Sequence, residues 1–206
     1  MGRFKIKKRE LWIDMTPMSD VMVLLLTFFM LTATFVKPEP VKVQTPGSVS
    51  SINVPDHDVL TILIDPKGRI FMSLDKKTDM MSTLDAISEK YNVSFTLDEK
   101  RTFGSVPSFG VPINELKSFL DLDPAKREAY LSSESIKGIP CDSANNEFKD
   151  WVEAAREVNP DLVISIKSDA NTKYQVVKTV MNSLQDIKCN RYNLITNLKK
   201  VKAVDE

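Results

Sequence analysis

Val21 to Val36 is a run of sixteen residues without a charged side chain. As a helix it would extend only about 24 Å at 1.5 Å per residue, short of the roughly 30 Å hydrocarbon core of a bilayer. Extending it back to Pro17 supplies the missing turn. Proline suits a first helical position, because the amide it lacks would be unsatisfied there, and Thr16 is placed as the N-cap. The pattern predicts a membrane-spanning helix over 16–36, and the length requirement draws Asp20 into or against the hydrocarbon.

Beyond that run, Lys37 to Asp56 holds Pro38, Pro40, Pro46 and Pro55 and a Gly47-Ser48-Val49-Ser50-Ser51 patch. Proline at this density forbids a continuous helix and favours extended, semi-rigid chain. The segment 37–57 reads as a tether, for which composition alone asks no more than an inert spacer. A domain over 58–206 follows. Val59 to Ile64 is β-branched, Asp65-Pro66-Lys67-Gly68 is a turn, and Arg69 to Leu74 completes a hairpin. Thr78 to Tyr91 places Met80, Leu84, Ile87 and Tyr91 on one helical face. Asn145 to Val158 does the same with Phe148, Trp151, Val152 and Ala155, and Leu162 to Lys167 is a strand. Thr172 is placed as the cap of a helix carrying Tyr174, Val177, Met181 and Leu184, and Arg191 to Leu198 reads as a last, loosely alternating strand. The fold class expected is a single N-terminal transmembrane α-helix plus an α+β domain, a small open sheet with helices on one face.

Charge changes the picture at the N-terminus only. The 206 residues carry 28 basic and 28 acidic side chains, so nothing suggests a nucleic-acid partner, which a basic face would announce. Arg3, Lys5, Lys7, Lys8 and Arg9 crowd the leader, 1–15, and favour a cytoplasmic N-terminus with the remainder sent across the membrane. A cleavable signal peptide fits less well, because the apolar run is long, carries Asp20 at its entrance and lacks a clean small-residue cleavage site.

Candidate chemistry concentrates on Asp20. A carboxylate at the centre of a membrane helix costs about 2.5 to 3.5 kcal/mol, less near the interface, and such groups commonly mark an ion or proton path. Asp20, Thr27 and Thr34 recur every seven residues, on one face with Leu24 and Leu31 between them, as a helix packed on another helix or on a narrow wet passage would require. The competing account has the threonines bonding their own backbone and Asp20 snorkelling to the surface.

Elsewhere no phosphate-cradling glycine motif, serine elbow or histidine-based ligand set occurs. Asp65, Asp161 and Asp169 sit at turns, where aspartate serves the backbone. His57 is a surface residue at the edge of the tether. Cys141 and Cys189 lie in no metal or redox motif, and whether they pair stays open, since a disulfide needs a distance that sequence cannot supply.

Trp12-Ile13-Asp14-Met15-Thr16-Pro17-Met18-Ser19-Asp20, continued by Val21 to Met30, resembles the start of the ExbD/TolR family of biopolymer transport proteins. There a basic leader, a Thr-Pro and an aspartate three residues later open the sole transmembrane helix. Ser19 stands where that family usually has an apolar residue, and Asp14 where it often has Asn. The strand-strand-helix-strand-helix-strand order, and Asp161 to Asp169 with Tyr174 beyond, are similar to the family's periplasmic domain. Residues 92–144 do not match. They read as an insertion with short helices at Ile113 to Leu120 and Pro124 to Ser133, either partner-binding or structural padding.

The resemblance implies a non-enzymatic inner-membrane subunit with a periplasmic domain and no cofactor besides protons as coupling ion. Asp20 would be the proton carrier, Thr27 and Thr34 the pore or packing face, and Thr16 and Pro17 the helix start. Implied partners are an ExbB-like ring subunit, a TonB-like protein, membrane lipid and a second copy in a homodimer. A TolR-like envelope role is the first alternative, although the short charged tail Lys199 to Glu206 lacks the C-terminal helix usual there. The second is an anchored binding module in which Asp20 has no task.

Overall fold

A computed structural model describes residues 14–33, 41, 43–48, 57–133, 136–142 and 145–198. The chain divides into two compact units, Met1–Lys37 and Pro38–Glu206. In the first, one helix, α1 (Thr16–Thr32), buries none of its residues. The second unit runs β1 (Gly47–Ser48), β2 (Val59–Ile64), β3 (Ile70–Leu74), α2 (Lys77–Tyr91), α3 (Leu97–Ser105), α4 (Ile113–Leu120), α5 (Pro124–Ser132), α6 (Glu147–Val158), β4 (Val163–Ser168), α7 (Tyr174–Asp186), β5 (Tyr192–Leu194) and β6 (Asn197–Leu198).

The main sheet has four strands in the order β3-β2-β4-β5, with β2 and β3 antiparallel and the other two pairs parallel. Its hairpin forms because Asp65 organises the turn: Oδ1 accepts from the amides of Lys67 at 2.9 Å and Arg69 at 2.8 Å. Register then puts Leu60, Ile62 and Ile64 of β2 on the same face as Leu74, Met72 and Ile70 of β3 and Ile164 and Ile166 of β4. That face shares one core with Met80, Leu84 and Ile87 of α2, Phe148, Trp151 and Val152 of α6, and Val180 and Leu184 of α7. Removing these side chains from water is the main term holding the sheet and helices together.

Residues 92–144 belong to this core. Phe103, Phe109, Leu116, Phe119, Leu131 and Ile139 are all buried in it, and the rings of Phe103 and Phe109 lie 5.9 and 4.7 Å from that of Trp151. The segment also closes the outer edge of β3, where Met72 and Phe109 exchange backbone hydrogen bonds at 2.7 and 2.9 Å and Ile139 N donates to Ile70 O at 2.9 Å. Gly110 and Gly138 allow the approach. A Cβ on Gly110 would stand 2.1 Å from Phe71 Cδ1, and Gly138, at φ +79°, would bring one to 2.8 Å from the Ile70 nitrogen. So the sheet face opposite the main core is roofed at Phe71 by the chain at Gly110, and helices on one face are only part of the covering.

Four further expectations are corrected. The last strand, expected from Arg191 to Leu198, is broken into β5 and β6, and β6 leaves the main sheet to pair in parallel with β1. Of the tether 37–57, the described residues 41 and 43–48 are held by the domain: Val41 is buried with the core, Gln44 N donates to Asp169 Oδ2 at 2.8 Å, and Ala170 N donates to Gln44 O at 2.8 Å. Extended chain that cannot form a helix still carries amides and carbonyls that need partners, and here the domain supplies them. Thr172 does not cap α7, since its hydroxyl donates to Asp65 O at 2.9 Å and Lys173 holds the cap position. The helix α3 was not expected at all, although Thr96 and Glu99 form a reciprocal capping box at its start. Cys141 and Cys189 are both buried and free.

Candidate functional site

The helix α1 begins at Thr16 with Pro17 in its first turn, where the proline ring has no amide to waste. Thr16 is not the N-cap. Met15 occupies that position, and the cap-like acceptor is Asp14, whose Oδ1 takes the Thr16 amide at 3.0 Å and the Thr16 hydroxyl as well. Carboxylate chemistry at the positive end of a helix explains the exchange, since Asp is as good an acceptor there as Thr and carries the complementary charge.

The hydroxyls inside the helix return to its own backbone. Ser19 Oγ donates to Met15 O at 3.1 Å, Thr27 Oγ1 to Leu24 O at 2.9 Å and Thr32 Oγ1 to Phe28 O at 2.8 Å. Asp20, in the second turn, is exposed and has no hydrogen-bond or ion-pair partner among the described residues. Around it every large apolar side chain from Met15 to Leu31 is exposed, Leu31 at 87%. Asp20, Leu24, Thr27 and Leu31 lie along one face by their spacing. With the Thr27 hydroxyl bonded inward, the polarity of that row rests on the Asp20 carboxylate. Thr34 and the basic leader residues Arg3 to Arg9 lie outside the described residues.

No helix among the described residues is long and apolar enough to cross a membrane. The 17 residues of α1 reach about 25 Å.

The family description "Biopolymer transport protein ExbD/TolR" matches residues 7–199, which takes in α1 and nearly all of the domain. The chain belongs to the ExbD/TolR family. No curated protein and no solved structure matches it. ExbD/TolR proteins are anchored in the inner membrane, serve energy transduction in biopolymer transport with ExbB- or TolQ-type and TonB- or TolA-type partners, and are not enzymes.

The domain's own carboxylates answer to architecture. Asp65, 3% exposed, also takes Arg69 Nε on Oδ2 at 2.6 Å, and that guanidinium reaches on to Ser133 O at 2.7 Å, tying the hairpin to the insertion. Asp169 holds the Gln44 amide and, on its other oxygen, the Asn171 amide at 2.9 Å. Asp161 differs: the turn there is served by Asn159, whose Oδ1 accepts from the Asp161 amide at 3.2 Å. Asp58 accepts from Lys76 and Asn159, and the Lys76 ammonium holds its carboxyl below the usual range. Burial pushes the Cys141 thiol up, away from the thiolate that redox or metal chemistry needs. Among the described residues no three His, Cys, Asp or Glu side chains gather where a metal ion could sit. Sequence reasoning missed the contact of Gln44 with Asp169 and Ala170. Its partners lie about 125 residues apart in the chain, and no local pattern joins them.

Proposed function

We propose that this ExbD/TolR protein is the proton-driven subunit of an inner-membrane complex, with Asp20 as the proton carrier. The observation that supports it is the contrast inside α1: the hydroxyls of Ser19, Thr27 and Thr32 each have a backbone partner, and the one carboxylate has none among the described residues. An unpaired carboxylate on a helix with apolar side chains exposed all round is costly wherever those side chains leave water. Protonation removes that cost. In this reading residues 16–36 span the bilayer; 21 residues would reach about 31 Å as a helix. The N-terminus lies in the cytoplasm and the domain in the periplasm.

Each proton taken up neutralises Asp20 and changes how α1 packs in a ring of ExbB-like helices, and its release on the cytoplasmic side restores the charge. The membrane potential supplies about 2.3 kcal/mol per charge per 100 mV, so a mechanical stroke of several kcal/mol consumes several protons. The periplasmic domain, paired with a second copy, transmits the motion to a TonB-like protein that energises uptake across an outer membrane. Asp20→Asn keeps size and polarity and removes the proton. Uptake in a strain carrying that variant at normal protein level falls to that of a strain lacking the protein; undiminished uptake sinks the reading. If uptake is normal in the deletion strain and detergent sensitivity appears instead, the stroke serves the envelope, as in a TolR-type role.

A further inference from the structure

A hollow of about 920 Å³ opens where the turns after α6 and α7 enter β4 and β5. Its walls are two stretches of chain, 160–164 and 188–193, with Arg156 from the last turn of α6 at one end. Arg156, Lys188 and Arg191 line it against a single carboxylate, Asp161. None of the three cations has an ion-pair partner among the described residues; the Arg156 guanidinium instead lies 2.8 Å from Cys189 Sγ. Glu153 and Glu157 line a smaller neighbouring hollow that shares Arg156, and Glu153 is engaged by Lys90 at 3.4 Å.

The site is set in place by the backbone. Lys188 holds φ +57° at the end of α7, with its amide on Gln185 O and the Cys189 amide on Leu184 O, each at 2.9 Å. That turn leaves Lys188 and Arg191 exposed while Cys189 is buried with Leu162 and Ile164. Unpaired cations in a concave site concentrate positive potential, and guanidinium groups match carboxylates in shape as well as charge. A volume near the top of the usual pocket range exceeds what one inorganic anion fills. Of these walls β4 is paired on both sides, by β2 and β5, and the edge of β5 is the extended backbone that can meet another extended chain. The terminal strand β5 has no described strand on its outer side.

We propose that this groove binds an acidic, extended segment of a partner protein, its carboxylates on Arg156, Lys188 and Arg191. The proposal does not rest on proton transfer at Asp20, and its failure leaves that reading untouched.

The test uses the full chain in non-ionic detergent and a short labelled peptide in which Asp and Glu alternate with Val and Leu, read by fluorescence anisotropy. The peptide binds saturably and more weakly as salt rises. Lys188→Glu with Arg191→Glu weakens it by about tenfold or more, because reversing two rim charges turns attraction into repulsion. Arg191→Gln, at an exposed side chain with no bond to lose, weakens it less and guards against a double variant that fails to fold. Arg101→Glu on α3, outside the groove, leaves binding unchanged. No binding, binding indifferent to the Lys188 and Arg191 variants, or an equal response to the basic counterpart peptide overturns the proposal. Displacement by citrate or pyrophosphate at the peptide's own concentration does so too, and assigns the groove to small anions.

Discussion

Asp20 and Glu147 are both carboxylates on helices, and their surroundings are opposite. Glu147 is 3% exposed at the start of α6; its Oε2 accepts the Ile113 amide at the head of α4 at 2.9 Å, and its Oε1 accepts from Asn145 Nδ2 at 3.3 Å. Asp20 stands in α1 with nothing bonded to it among the described residues, on a helix that buries no residue. A satisfied carboxylate joins two pieces of a fold. An unsatisfied one on an apolar rod, if it does anything, does it toward something outside the chain, since leaving it charged and unpaired away from water is expensive. The two helices also differ in company: α6 closes on a core of ring and aliphatic side chains, whereas the apolar side chains of α1 are exposed.

The sharpest way to break that contrast is to exchange the consequences. On the proposed reading Asp20→Asn abolishes uptake while the thermal unfolding of the α+β domain stays unchanged, because Asp20 has no bond among the described residues to lose. A shifted unfolding midpoint in that variant would mean that Asp20 is structural after all. Next in size comes Trp151→Ala, which empties a fully buried site between Phe103 and Phe109. A loss of about 3 to 5 kcal/mol is expected in denaturant unfolding of the full chain in detergent. Glu147→Gln keeps the side chain's shape but weakens its hold on the Ile113 amide, and a smaller loss of about 1 to 3 kcal/mol is expected. Its uptake defect should track protein abundance alone, the reverse of Asp20→Asn.

How far these regions could be read in advance follows from the range of the interactions. The start of α1 was legible because Thr16 and Pro17 lie in its first turn, although Met15 holds the N-cap position and the acceptor there is Asp14. The hairpin was legible for the same reason, Asp65 bonding amides two and four residues on. The role of the insertion was not, since Phe103 and Phe109 reach Trp151 across more than forty intervening residues and share no period with it. β1, and the departure of β6 from the expected last strand to pair with it, escaped because each is two residues long and the two come from opposite ends of the domain. The basic groove escaped likewise: Arg156 and Arg191 meet only through the path of α7 and β4. One miss was avoidable. Thr96-Leu97-Asp98-Glu99 has the spacing of a capping box ahead of a helix.

That box yields the smallest effect and the finest test of carboxylates as architecture. Glu99 accepts the Thr96 amide at 2.6 Å while the Thr96 hydroxyl accepts the Glu99 amide at 3.3 Å. The Thr96 amide holds the Glu99 carboxyl below its ordinary pKa of 4.5. A carboxylate whose folded pKa is depressed stabilises the fold fully above its unfolded pKa and loses that contribution as pH falls through the folded one. Thr96→Ala removes one arm of the box and should cost about 1 kcal/mol at neutral pH. Glu99→Gln should cost less than that at neutral pH, and the gap between its unfolding midpoint and that of the wild type should close as pH drops below about 4.5, where the wild-type glutamate gains its proton as well. A gap that stays constant through that range would show that Glu99 acts through packing of its stem and not through charge. In that case the line drawn between Asp20 and the domain's carboxylates would have to rest on Asp65, Asp169 and Glu147 alone.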